Sequence, residues 1–288
     1  MIEKLTLSTG AGDFDALAAG PADGRPVLLL HGFPQGAAEW EHQLTALGAA
    51  GFRAVAPDQR GYSAAVRPDD VAAYRMDELV ADVLRFADAL GWTTFDLVGH
   101  DWGAAIGWLV ADRHPGRVTT FTAVSVPHPQ AFADALRDDA DQQQRSAYLG
   151  MFRQPGAAEQ MMLAEDAAGL RRMLGPIGDP ARIAVYVERM QAPGAFTAAL
   201  NWYRATRPED VEAAPTTVPT LYVWGARDIG VGAVAAKATG NWVSAPYRFE
   251  ILEETAHWVP EEAPSRLSAV LLDHLREHAA DAAREENK

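Results

Sequence analysis

The sequence predicts an α/β protein: a mostly parallel, doubly wound sheet that carries an inserted helical cap. Three observations predict it. From residue 26 onward strand and helix patterns alternate, the order that right-handed parallel crossovers need. Pro26-Val-Leu-Leu-Leu30 is a continuous apolar run, as expected for a strand covered on both faces. Strand signals then vanish between about residues 128 and 215, where Ala, Gln, Met, Arg and Glu dominate. The expected division is a core of residues 1–127 and 216–288 with a cap of residues 128–215.

Taken in order, Ile2 to Thr9 alternates apolar and polar residues, and Phe14 to Ala19 follows a Gly-Ala-Gly-Asp turn, which together read as an edge hairpin. The strand at Pro26–Leu30 ends in His31-Gly-Phe-Pro-Gln35. Trp40 to Ala49 is helical, and Phe52-Arg-Ala-Val-Ala56 is a strand running into Pro57-Asp-Gln-Arg-Gly-Tyr62. Leu79, Val83, Phe86 and Leu90 recur at helical spacing within Met76 to Leu90. A short strand at Leu97 and Val98 leads straight into a helix from Trp102 to His114. Val118 to Val126 is β-branched and stops at Pro127-His-Pro129. In the cap, Pro/Gly breaks at 155–156, 175–180 and 193–194 separate short helices. The sheet resumes through Thr216 to Val218 and Leu221 to Trp224, continues at Tyr247 to Leu252, and a helix from Pro264 to Ala283 closes the chain before a charged tail.

At 288 residues the chain is long enough for one large domain with an insertion. A net charge of -14 argues against nucleic acid or an anionic membrane as partner. The absence of cysteine removes disulfides, thiolate metal sites and a cysteine nucleophile. The start lacks a basic-then-apolar leader pattern and no apolar run has membrane-spanning length, so the chain reads as cytoplasmic.

The chemistry centres on Phe95-Asp-Leu-Val-Gly-His-Asp-Trp-Gly-Ala-Ala105. Gly99-His-Asp-Trp-Gly103 between a strand and a helix is the G-x-nucleophile-x-G elbow of the α/β hydrolases, with aspartate at the centre. Serine there would need a base to attack a carbonyl; a carboxylate is already charged and can displace a leaving group at saturated carbon. The positive end of the following helix helps to keep Asp101 ionised. An aspartate at a helix start also serves as an N-cap, so the motif needs partners to mean chemistry.

Those partners stand at the ends of later strands. Leu221–Trp224 runs into Gly225-Ala-Arg-Asp228, and Tyr247–Leu252 into Glu253-Glu-Thr-Ala-His257. Nucleophile, acid and base thus come in the order the elbow fold uses, at the strand ends where ligands bind open α/β sheets. His257 is the expected base, held by Asp228. The loop after Val118–Val126 reads Ser125-Val-Pro-His-Pro and offers no rival carboxylate. His42, His114, His274 and His278 read as surface, and His100 as packing beneath the nucleophile. Hydrolysis of an ester on Asp101 needs oxyanion donors, for which the amides of Trp102 and Phe33 are suited; Pro34 fixes the Phe33 loop, with a cis bond as one way of doing so.

The chain resembles the epoxide hydrolases of the α/β-hydrolase superfamily in His31-Gly-Phe-Pro34, Asp58-Gln-Arg-Gly-Tyr62, Gly99-His-Asp-Trp-Gly103 and His257-Trp258. The resemblance covers nearly the whole chain. It implies the α/β-hydrolase fold and conversion of an apolar epoxide to a vicinal diol by water. In the cap, Tyr148-Leu-Gly-Met-Phe-Arg-Gln-Pro-Gly156 and Asn201-Trp-Tyr-Arg204 resemble the segments that carry that family's ring-opening tyrosines, which maps them to Tyr148 and Tyr203. Two phenols opposite the carboxylate would meet the oxygen of the opening ring as charge builds on it. Tyr186 lacks such a motif. The expected pocket is apolar, walled by Trp102, Trp258, Phe152 and Pro34, with Met151, Met161 and Met162 as further candidates.

No cofactor or metal is implied, because both steps use protein groups and water. Partners are a small epoxide and water, with room left for a homodimer. Two alternatives use the same scaffold. Haloalkane dehalogenases share the elbow aspartate but usually place Asn or Glu at the position of Phe33, and fluoroacetate dehalogenases place Arg where Trp102 and Ala105 stand. A ligand-binding receptor that keeps the fold without turnover would not need Asp101, His257 and Asp228 intact.

Overall fold

The strands take their positions from which face of each residue must be covered. In the computed structural model, which describes residues 1–278, eight strands form one sheet: β1 Glu3–Thr9, β2 Gly12–Ala19, β3 Pro26–Leu30, β4 Arg53–Pro57, β5 Phe95–His100, β6 Val118–Val124, β7 Thr220–Gly225 and β8 Tyr247–Leu252. Their order is β1-β2-β4-β3-β5-β6-β7-β8. The first hairpin pairs antiparallel and sits at the edge, β2 pairs antiparallel with β4, and the remaining neighbours are parallel. This is the α/β-hydrolase fold.

The continuous apolar strands feed two cores at once. Leu28 and Leu30 of β3 enter one cluster, while Val27 and Leu29 enter the other. Tyr222 and Trp224 of β7 divide from Leu221 and Val223 in the same way. One face is covered by α1 (Glu41–Ala49) and α12 (Pro264–Glu277), the other by α2 (Met76–Ala89) and α3 (Trp102–Arg113). Leu79, Val83 and Phe86 are buried as the periodicity of α2 predicts, and each contributes roughly 1.5–3 kcal/mol of burial.

Because β4 lies on one side of β3 and β5 on the other, the chain reverses its winding direction at β3. A crevice opens there, at the carboxyl ends of β3 and β5, where an α/β sheet binds its ligand. Between β6 and β7 no strand intervenes: α4 (Pro129–Asp138), α5 (Ala140–Arg145), α6 (Tyr148–Phe152), α7 (Ala157–Met173), α8 (Pro180–Gln191) and α9 (Ala195–Ala205) lie there. α10 (Ala233–Ala238) bridges β7 and β8, and α11 (Val259–Glu262) precedes α12.

Some expectations shift. β6 ends at Val124 rather than 126, because Ser125 turns out of the sheet at φ 68°. Within α7, Ala164 is extended and Glu165, Asp166 and Ala167 are left-handed, a kink with no glycine at those positions. His274 is no surface residue: α12 turns it inward on the stripe of Leu267, Val270, Leu271 and Leu275, and burial lowers its pKa to about 3. His278 is buried too, against the His274 ring. Of the other two, His42 is exposed and His114 half-buried. The last residues of the expected closing helix, and the charged tail, lie outside the described residues.

Candidate active site

The elbow owes its shape to two missing side chains. A Cβ on Gly99 would lie 2.2 Å from the Gly103 carbonyl oxygen, and one on Gly103 would lie 2.0 Å from that of Leu30. Only glycine at both positions lets α3 start this close to β3 and β5. Asp101 between them sits at φ 50°, ψ -118°, a backbone conformation that costs on the order of 1–3 kcal/mol. Its carbonyl accepts the amides of Ala104 and Ala105, so the backbone opens the helix, but its side chain makes no N-cap bond. The carboxylate instead faces the crevice.

Three loops meet it. The Phe33 amide donates to Asp101 Oδ1 at 2.8 Å, and His257 Nε2 lies 3.4 Å from Oδ2. On the far side of the imidazole, Nδ1 lies 2.8 Å from Asp228 Oδ2. The other oxygen of Asp228 accepts the amides of Gly230 and Val231 at 2.7 and 3.0 Å. The sequence-derived Asp101, His257 and Asp228 are therefore brought together. Of the two expected oxyanion donors, the Phe33 amide has its bond to Asp101 formed, and Trp102 is the first residue of α3. The Phe33–Pro34 peptide is cis.

Charge follows from this geometry. Burial alone would push Asp101 up, but the bond to His257, its charge, His100 and the Phe33 amide bring it below the ordinary carboxylate value. Burial would likewise depress His257; the carboxylates of Asp228 and Asp101 outweigh it and hold the imidazole well above its usual 6.5. At neutral pH the pair rests as carboxylate and imidazolium.

The His257 backbone is pinned by residues the sequence did not single out. Its carbonyl accepts Ser125 Oγ at 2.7 Å, and His100 Nε2 lies 2.9 Å from the same oxygen. Glu262 accepts the amides on either side, from Ala256 and Trp258. His100 Nδ1 in turn lies 2.9 Å from Oε1 of the buried Glu39. Glu261 accepts from Gln35 and is bonded to the hydroxyl of Tyr186; burial, then Glu39, raises its pKa to about 8. A carboxylate among apolar residues near the start of a helix was the available signal for Glu39 and Glu261. Gln59 donates its amide to His31 Nε2 and its side chain to the His31 carbonyl. The Arg60 guanidinium is bidentate to Asp82 of α2, so within the second motif Gln59 ties the chain to His31 and Arg60 ties it to α2.

Above this floor is a cavity of about 510 Å³ lined by Asp101, His257, Phe33, Trp258, Tyr148, Phe152 and Tyr203 together with Met151 of α6 and Met161, Met162 and Met173 of α7. Tyr203 is buried and packs edge-on to Phe33, Trp102 and Phe152, with ring centroids 5.3, 4.9 and 5.1 Å apart. Tyr148 stands 6.5 Å from it, centroid to centroid, and keeps 39 % of its surface accessible. Burial, then the nearby Asp101, pushes both hydroxyls up, so they remain protonated donors. Pro34 and Trp102, expected in the wall, are not among the cavity-lining residues; Trp102 is half-buried and turns its ring against Tyr203 and Trp202. Tyr186 points away, to Glu261.

A family model described as alpha/beta hydrolase fold matches residues 25–264. The chain belongs to that family. Among its α/β-hydrolase relatives, the AB hydrolase superfamily protein YfhM of Bacillus subtilis is 32% identical over 266 residues, covering 90% of this chain and 93% of that protein. Epoxide hydrolase A of Mycobacterium tuberculosis is 30% identical over 299 residues, covering 88% and 91%. The crystal structure of an epoxide hydrolase from Bacillus megaterium with an inhibitor superposes with a TM-score of 0.85 at 27% identity, over 95% of this chain and 100% of that one. Within the α/β-hydrolase superfamily the chain stands with the epoxide hydrolases. Among the described residues no helix is long and apolar enough to cross a membrane, and no group of three or more His, Cys, Asp or Glu could hold a metal ion.

Proposed function

We propose that this hydrolase converts an apolar epoxide to a vicinal diol through an alkyl ester on Asp101. One observation carries the reading: the charged Asp101 carboxylate, the His257 imidazole and two protonated phenols, Tyr148 and Tyr203, line a single apolar cavity, with Asp228 bonded to the imidazole from behind. The names of the relatives support it, and the elbow aspartate supports attack at saturated carbon.

The bonds of the resting site assign a task to each oxygen. Oδ1 is held by the Phe33 amide, so Oδ2 is the oxygen that attacks the epoxide carbon. The carbon–oxygen bond of the ring breaks as Tyr148 and Tyr203 donate to the departing oxygen, one of them passing its proton. Esterification removes the charge of Asp101, one of the two anions that keep His257 protonated. The imidazole pKa falls, its Nε2 proton passes to the phenolate and restores the phenol, and Nε2 becomes a base when water must be activated. Water attacks the ester carbonyl carbon, its proton goes to Nε2, and the oxyanion forms on Oδ1 against the Phe33 amide. Collapse expels the diol oxygen, which takes the proton from His257. The proton left on the regenerated carboxyl returns to His257 Nε2 and restores the resting pair of carboxylate and imidazolium. Asp228 holds the imidazolium throughout. The cap, residues 128–215 in this reading, supplies the phenols, and the core supplies the rest.

Two expected outcomes arise here. Changing both Tyr148 and Tyr203 to Phe should slow ester formation by about 10³-fold, measured as adduct appearance in rapid-quench mass spectrometry. Near-normal rates would favour a leaving group such as halide, which needs no acid. The pH dependence should split by step. Asp101 stays charged below the ordinary carboxylate range, so ester formation is flat through neutral pH. Ester hydrolysis requires neutral His257, so it rises with pH and levels off above the pKa of the ester form. Incubation with styrene oxide, a long-chain epoxide and a bromoalkane tests the reaction class directly: diol from an epoxide is expected, and bromide release without diol would sink the reading.

A further inference from the structure

The acid's loop is held from the cap by one buried glutamine. Asp228–Gly232 folds tightly on itself: the Gly230 and Val231 amides meet Asp228 Oδ1, and the Val231 carbonyl accepts the Trp224 indole at 3.3 Å. The carbonyls of Asp228 and Gly230 and the amide of Gly232 are met by α5 instead. Arg145 donates to the Asp228 carbonyl. Gln142 Nε2 donates to the Gly230 carbonyl at 2.8 Å, and its Oε1 accepts the Gly232 amide at 2.8 Å. The same nitrogen reaches Ser146 Oγ at 2.9 Å, and the side chain is fully buried.

Ser146 stands two residues before Tyr148. A Cβ added at Gly230 would come 4.0 Å from the Tyr148 hydroxyl, so the phenol hangs over the loop that Gln142 grips. A surface helix of six residues needs no fully buried glutamine for its own formation. Both ends of this amide serve the loop.

We propose that Gln142 is a positioning residue that locks the Asp228 loop and the Tyr148 turn of the cap into one unit, keeping acid, base and phenol in register over Asp101. The proposal rests on the epoxide reading above. It makes a distinctive demand, because the two half-reactions use different ends of the clamp. Ring opening uses Tyr148, and ester hydrolysis uses His257 oriented by Asp228. Release of the clamp slows both steps and leaves epoxide binding in the apolar cavity alone.

The test follows styrene oxide by rapid quench and intact-protein mass spectrometry, which reads adduct formation and decay separately. The dissociation constant comes from the concentration dependence of adduct formation. Gln142→Met keeps the shape and removes every hydrogen bond; Gln142→Glu keeps the acceptor for Gly232 and loses both donations. In each variant both rate constants should fall by about ten- to hundredfold, the cost of a misplacement near 1 Å, with the dissociation constant nearly unchanged. A folded variant with both rates close to those of the unchanged protein, or with only one lowered, overturns the proposal. Should Gln142→Met not fold, Gln142→Glu carries the same expectation; if neither folds, Gln142 serves folding and the proposal falls. Failure of the unchanged protein to form adduct or diol from any epoxide defeats the functional reading itself, a result distinct from the others.

Discussion

Replacing His257 by Gln should stop the enzyme after one half-reaction. The epoxide still meets a charged Asp101 and two phenols, so the ester forms. Glutamine cannot take a proton from water, so the ester persists. One equivalent of substrate mass should remain on the protein, located to the peptide that contains Asp101, while diol production falls by about 10⁴-fold or more. The effect is expected to be large because no other group can substitute: His257 Nε2 is the nitrogen that faces the carboxylate, and His100 is turned to Glu39 and the His257 carbonyl. A protein that turns over without accumulating adduct would remove His257 from the role of base.

Changing Asp101 to Asn should abolish the reaction at its first step. The amide occupies the same volume and can still meet the Phe33 amide through its oxygen, so the fold should survive. It lacks the anionic oxygen that attacks carbon. Neither adduct nor diol should appear, a loss of about 10⁴-fold or more in the first-turnover rate. Retained first-turnover kinetics would show that water attacks the epoxide directly. The variant has a second expected consequence. With one of its two anions gone, the pKa of His257 should fall, which nuclear magnetic resonance titration of the ring would report.

Much of this site is legible in the sequence because its parts obey local rules. Gly99 and Gly103 mark a bend that no side chain could enter, and Asp228 and His257 each follow a strand at loop distance. The helical segment between β6 and β7 is visible as a loss of strand pattern between two sheet segments, and the apolar runs announce a sheet covered on both faces. What escapes is whatever depends on long-range packing. Glu39 and His100 are buried and Glu261 half-buried in a polar layer whose members come from three separate segments. Ser125 reaches the His257 carbonyl only because the strand before it ends early. Gln142 lies in a polar run, Asp-Gln-Gln-Gln-Arg, that reads as solvated surface until the acid loop is placed against it. His274 was readable, since it stands on the apolar stripe of its helix, but a histidine near a charged terminus suggests solvent. Trp102 and Pro34 show the converse error: proximity in a motif is not proximity in the cavity.

The account stands on the ester at Asp101, and the fate of water's oxygen tests that most directly. With enzyme in excess over a single equivalent of epoxide in H₂¹⁸O, the account predicts unlabelled diol and ¹⁸O in the Asp101 carboxylate, because water attacks the ester carbonyl carbon and not the substrate. Label in the first-turnover diol, with none in the peptide that carries Asp101, would contradict it.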